Sequence, residues 1–139
     1  MKIRIVLVLF ALMPFVAISQ EANSKVKAAY TSAELAKMSF EEIDYLNFFS
    51  DNAVIVSNAG EKAQSIAVTG ELSLKNGSVI SAPSVDIANF NPLLFNLKVL
   101  PNEYSYYRIG DSEYVITVMS EARLEVLYER YKANGGAKK

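Results

Sequence analysis

The chain of 139 residues contains no cysteine, no histidine and no tryptophan. Without cysteine there is no disulfide framework, no thiol nucleophile, and no cysteine-based zinc or iron–sulfur centre. Without histidine, the usual general base near neutral pH and the histidine-dependent catalytic triads are excluded. Neither charge dominates: 14 Lys+Arg stand against 15 Asp+Glu, and no basic stripe gathers along the chain, so nucleic acid is not expected as a partner. Phosphate-binding glycine loops and the G-x-S-x-G nucleophile elbow are also missing. What remains for chemistry is carboxylates, lysine, hydroxyls and eight tyrosines.

What is present begins with an uneven distribution of apolar residues. Lys2 and Arg4 form a basic head, Ile5 to Ile18 runs without a charge, and the chain turns polar at Ser19-Gln20-Glu21. A membrane-crossing helix needs roughly 20 apolar residues, whereas about 10–14 is the length of a signal-peptide core. Pro14 and the small residues Ala17 and Ser19 place a cut after Ser19, so residues 1–19 are expected to be a secretory signal peptide. An uncleaved anchor or a buried segment is the alternative. Losing Lys2 and Arg4 leaves 12 basic and 15 acidic residues, a net charge of −3. An exported, cysteine-free domain of this size must fold by packing alone or draw support from a partner.

Residues 20–30 are small and polar and are expected to be a flexible lead-in to a single domain over 31–134, closed by a basic tail at 135–139. Thr31-Ser32-Ala33-Glu34 and Ser39-Phe40-Glu41-Glu42 both match the capping box, predicting two short N-terminal helices over about Ser32–Met38 and Phe40–Phe49. On the second, Ile43, Leu46 and Phe49 form an apolar stripe that leaves Glu41, Glu42, Asp44 and Asn47 facing elsewhere. From Ala53 the pattern changes to that of strands: Ala53–Ser57, Ser65–Lys75 with Gly70 as a bulge, an Asn76-Gly77 hairpin turn, and a return over Ser78–Ser81. A loop leads to a buried strand near Leu94–Val99, followed by a hairpin of Tyr104–Ile109 and Glu113–Met119. Ser120 caps a last helix with Leu124, Leu127 or Tyr128, and Tyr131 on its core face, ended at Asn134-Gly135-Gly136. The expected class is α+β: two short N-terminal helices, a mostly antiparallel sheet of four to six strands and one C-terminal helix.

Two surfaces are candidates for recognition. Tyr104, Tyr106 and Arg108 share one face of a strand, and Tyr with Arg is the composition enriched in interface hot spots. The Asn-rich segment 89–102 presents Phe90, Leu93 and Leu94, which either pack inside the domain or dock on a partner. No catalytic, cofactor-binding or metal-ligating residue is assigned, and no cofactor is expected. Ser24-Lys25-Val26-Lys27 matches S-x-x-K with no K-T-G to accompany it, which makes it a chance match. Glu41, Glu42, Asp44, Asp111 and Glu113 leave a carboxylate-dependent hydrolase as a minor reading, since two acids suffice for glycoside hydrolysis.

The small-residue cut before Gln20, the short cysteine-free domain and the Asn- and Tyr-rich strands resemble small exported proteins of Bacteroidota. The resemblance implies a periplasmic setting in which such proteins accompany larger outer-membrane assemblies, and it carries over no functional residue. The resulting expectation is a non-enzymatic exported accessory protein, periplasmic or extracellular, that binds an envelope or outer-membrane protein complex. A periplasmic binder of a small apolar or aromatic ligand is the alternative.

Overall fold

The computed structural model describes residues 21–77 and 85–136. The expected signal peptide, the returning strand over Ser78–Ser81 and the lysines of the basic tail lie outside the described residues. The chain is α+β, with helices before and after the four strands in sequence.

The segment expected to be a loose lead-in is instead a helix, α1 (Ser24–Ala29). The Asn23 side chain accepts from the Val26 N–H at 2.9 Å, and Val26 is completely buried beside Ala22 and Leu93. One apolar anchor and one cap thus override a polar composition. Both expected capping boxes form, starting α2 (Ser32–Leu35) and α3 (Phe40–Asn52). In each, the hydroxyl accepts from the N–H three residues on, while the Glu carboxylate accepts from the backbone N–H of the cap.

Helix α3 packs on two sides, which a single-stripe reading does not anticipate. Ile43, Leu46 and Phe49 face the α1 cluster, while Phe48 packs with Ala53 and Leu124 against α4 (Glu121–Ala133). Asp44 and Asn47 are therefore buried rather than solvent-facing. Asn47 accepts from the Asn23 N–H at 2.8 Å and donates to the Glu21 carbonyl at 3.0 Å, so its amide fastens the start of α1 to α3.

The strands are β1 (Val54–Asn58), β2 (Gly70–Glu71), β3 (Ser105–Arg108) and β4 (Tyr114–Val118), in spatial order β1-β4-β3-β2. The β3–β4 hairpin and the β1–β4 pair are antiparallel, but β2 runs parallel to β3. The sheet is therefore mixed, not mostly antiparallel, and it has four strands among the described residues. The cause lies in the Ser65–Lys75 segment, of which only Gly70–Glu71 pairs with β3 as a strand. Gly70 lies against Tyr107, where a β-carbon would meet the ring at an ordinary contact distance of 3.6 Å. Beyond it the chain turns at Lys75-Asn76, with Gly77 at φ 87° and its N–H bonded to the Leu74 carbonyl at 2.8 Å.

No strand spans Leu94–Val99. Pro92–Leu94 is a single 3-10 turn started by the Asn91 side chain, and only Phe95 makes a bridge, to Leu74. The Asn91 amide also donates to the Lys25 carbonyl at 2.8 Å, binding this irregular segment to α1. Two backbone bonds, from the Lys75 N–H to the Leu94 carbonyl and from the Asn96 N–H to the Ser73 carbonyl, flank the bridge. The principal core lies on the sheet, where Leu72, Phe90, Phe95, Tyr107, Ile109, Ile116 and Val118 pack together.

Candidate functional site

Of the residues singled out by sequence, three stand on or beside β3. Tyr104, just ahead of the strand, is exposed; Tyr106 and Arg108 are half-buried on the face opposite Ser105 and Tyr107. The Arg108 guanidinium is already committed. It donates to the carbonyls of Ala63, Gln64 and Ile66 at 3.1–3.3 Å, holding the 3-10 turn Gly60–Ser65 beside the sheet. Phe90 and Leu93 are buried, Phe90 stacked on Phe95 with ring centroids 4.8 Å apart, so the packing alternative describes them better than docking does. Leu94 is half-buried and joins Phe90 at the wall of a recess of about 380 Å³ that includes none of the three β3 residues.

A larger opening occurs elsewhere, between the start of α3 and the end of α4. It is an open trough of about 840 Å³ lined chiefly by Met38, Phe40, Glu41, Glu42, Asp44, Tyr45, Tyr128 and Lys132. Local sequence rules place each wall. The Ser39 capping box starts α3 so that Glu41, Asp44, Tyr45 and Phe48, spaced three to four residues apart, turn toward α4. On α4, Tyr128, Tyr131 and Lys132 are spaced in the same way. Gly136, at φ 64°, ends the trough; a β-carbon there would come within 3.5 Å of Asp44 Oδ1 and 3.6 Å of the Tyr131 ring.

Asp44 is the centre of this arrangement. It is only 6% exposed, and its two oxygens accept separately from the Tyr128 hydroxyl at 3.0 Å and the Tyr131 hydroxyl at 3.1 Å. Among the described residues no Lys or Arg stands within ion-pair distance of it. A buried carboxylate without a cation is tolerable when hydrogen-bond donors replace water. Around it, Tyr45 meets Tyr128 edge-on at 5.1 Å, and Phe48 lies 5.1 Å from Tyr128 and 5.4 Å from Tyr131. The Lys132 ammonium sits 4.8 Å from the centre of the Tyr128 ring while pairing with Glu129 at 2.6 Å. Phe40 and Tyr45, at the rim, remain 50% and 38% exposed.

Two tyrosines and one glutamate of the trough are shifted from their ordinary values. Burial first, and then the hydrogen bond to Asp44, hold the Tyr128 phenol well above the usual tyrosine range. Burial also raises Tyr45, with Glu121 adding to it. Glu42 is held below the usual carboxylate range by the Ser39 N–H and hydroxyl, so it stands as an ionised acceptor. Tyr128 therefore keeps its proton across the neutral range and donates it to Asp44 in a hydrogen bond.

Sequence reasoning missed this trough because it assigned Asp44 to a solvated face. The available signal was a second apolar spacing on α3, Tyr45 and Phe48, matched by a tyrosine pair at Tyr128 and Tyr131 on the closing helix. Asp111 and Glu113 lie exposed at the β3–β4 hairpin and do not line the trough. Among the described residues no group of three His, Cys, Asp or Glu side chains is placed to hold a metal ion, and no helix is long and apolar enough to cross a membrane.

Compared with known proteins, the chain matches no family model, no curated protein and no solved structure.

Proposed function

We propose that the protein is a non-enzymatic accessory protein, exported by its N-terminal segment, that binds another protein of the cell envelope through the α3–α4 trough. The observation that carries this reading is the exposure of Phe40 and Tyr45 at the rim of an open aromatic trough with a buried carboxylate beneath. Aromatic side chains left half in water beside a preformed depression are the usual anchors of protein interfaces. The β3 face offers less, because its arginine is spent on internal carbonyls and only Tyr104 of its three residues is exposed.

The volume also suits a small apolar or aromatic ligand, which is the second reading. The trough is open along its length, whereas pockets for such ligands bury most of the ligand's surface. A hydrolase reading draws less support. Glu42 is occupied as a helix cap and Asp44 as the acceptor for two tyrosines, so neither is poised to donate a proton to a leaving group.

A photo-crosslinking side chain installed at Tyr45, and separately at Tyr104, tests the assignment in the producing cells. One stoichiometric envelope-protein adduct from position 45 and none from position 104 is the expected result. An adduct from 104 alone would move the interface to the β3 face, and none from either would remove the partner reading. The intact mass of the recovered chain reports whether it begins after Ser19.

A further inference from the structure

We infer that the trough recognises a lysine side chain of the partner, seated on the aromatic floor above Asp44 and flanked by apolar residues that cover Phe40 and Tyr45. This rests on the partner-binding reading and specifies its chemistry. Three acids, Glu41, Glu42 and Asp44, line the trough against one base, Lys132, whose charge is already shared with Glu129. The field in the trough is therefore negative, and it acts across a partly desolvated space in which charge is screened less than in open water. Aromatic faces beside a carboxylate are a cation-binding arrangement. The chain shows the geometry with its own side chain, since the Lys132 ammonium lies over the Tyr128 ring. Lys132 is a resident substitute, and its stem swings toward solvent when a partner's ammonium arrives.

The choice of ammonium over guanidinium follows from Asp44. An arginine recognises a carboxylate through two parallel hydrogen bonds, which require a free carboxylate edge. Both Asp44 oxygens already hold tyrosine hydroxyls, and the residue is only 6% exposed, so Asp44 presents no such edge. A compact ammonium needs only the field and a ring face. The occupant is borne by a protein because about 840 Å³ far exceeds one ammonium, and the half-exposed Phe40 and Tyr45 call for apolar neighbours on either side of it.

The test uses backbone amide NMR of the natively processed protein with two synthetic peptides, acetyl-Phe-Lys-Leu-amide and its norleucine counterpart, which keeps the stem and removes the charge. Saturable shifts centred on residues 40–46 and 128–136 are expected with the lysine peptide. The norleucine peptide should bind about 5- to 10-fold more weakly, the size of a partly desolvated cation–π and charge interaction. Lys132→Gln, which removes the resident competitor, should tighten the lysine peptide about threefold, an effect that a purely structural lysine would not produce. Glu41→Gln, an exposed change that leaves the fold intact, should weaken it about twofold.

Equal binding of the two peptides would overturn the lysine assignment and leave an apolar protein-docking trough. Binding of n-butylamine as tight as that of the lysine peptide would overturn the protein-borne source. Absence of shifts in the trough, with a partner still crosslinking at position 45, would overturn the cation inference alone. Absence of both would overturn the partner reading with it.

Discussion

The sheet and the helical face solve opposite problems with similar residues. On the sheet, Tyr107 is buried and its hydroxyl accepts from the Lys98 N–H at 2.8 Å, so the ring belongs to a closed core with Ile109, Ile116 and Val118. On the helical face, Tyr128 and Tyr131 also satisfy their hydroxyls internally, on Asp44, yet the surrounding space stays open and Tyr45 and Phe40 remain at its rim. An internal hydrogen-bond partner for the polar end is common to both. The difference is what covers the ring: β-strand neighbours seal Tyr107, whereas the α3–α4 pair leaves a trough. On the function proposed, stability and recognition are divided between the two regions, and that division can be broken experimentally.

The largest expected effect is on the sheet. Ile116 is completely buried on the central strand β4, between β1 and β3. Ile116→Ala should destabilise the fold by about 4 kcal/mol, the loss of transfer energy plus the cavity left behind. Chemical denaturation measures it. If the two regions are separate in function, the folded fraction of this variant should give unchanged crosslinking at position 45.

Next is Arg108, which sequence composition assigned to an interface and the fold uses as a clamp. Arg108→Met keeps the stem and removes three hydrogen bonds to the carbonyls of Ala63, Gln64 and Ile66. A loss of about 2 kcal/mol in denaturation, with crosslinking at position 45 retained, is expected. Loss of the partner without loss of stability would return the interface to β3.

The legibility of the sequence divides along the same line. The capping boxes at Thr31 and Ser39, the β3–β4 hairpin and the C-terminal helix were all readable, because each depends on residues a few positions apart. What was not readable depends on distant partners. The parallel pairing of Gly70–Glu71 with β3 requires knowing that Tyr107 lies beneath the glycine. The irregular course of Leu94–Val99 depends on Asn91 reaching Lys25, 66 residues away. Asp44 looked like a solvated acid because its two donors, Tyr128 and Tyr131, come 84 and 87 residues later. Helical periodicity gives a face, and only the packing partner says whether that face is wet.

That buried acid makes the helical face sensitive to alkali. The Tyr128 proton is held more tightly in the folded state than in the unfolded chain, chiefly by burial and then by Asp44. The unfolded chain loses this proton first, so the contribution is fully present below about pH 10 and is lost as pH rises from there toward the folded value. Ultraviolet titration of phenolate should show two tyrosines ionising late, Tyr45 and, with the larger shift, Tyr128. Asp44→Asn should move Tyr128 part of the way back toward the ordinary range, since burial, the larger cause, remains. An unchanged titration in Asp44→Asn would mean that the carboxylate does not organise the trough.

The smallest effect lies at the trough's other end and has the opposite sign in pH. Glu42 is held below 4.5, its ordinary value, by the Ser39 backbone N–H and hydroxyl. A carboxylate with a depressed folded value stabilises above its unfolded value, and the contribution is lost as pH falls through the folded value. Because Glu42 is fully exposed, the loss is confined to the first turn of α3 and leaves the sheet core intact. The Ser39 amide resonance should follow the Glu42 titration while the Ile116 amide does not. Glu42→Gln tests the cause, since an amide at this position still completes a capping box but carries no titrating charge. In that variant the Ser39 resonance should be flat through the acid range. Parallel movement of Ser39 and Ile116 in the parent protein would show that the helical face and the sheet respond as one unit, and would break the division between them.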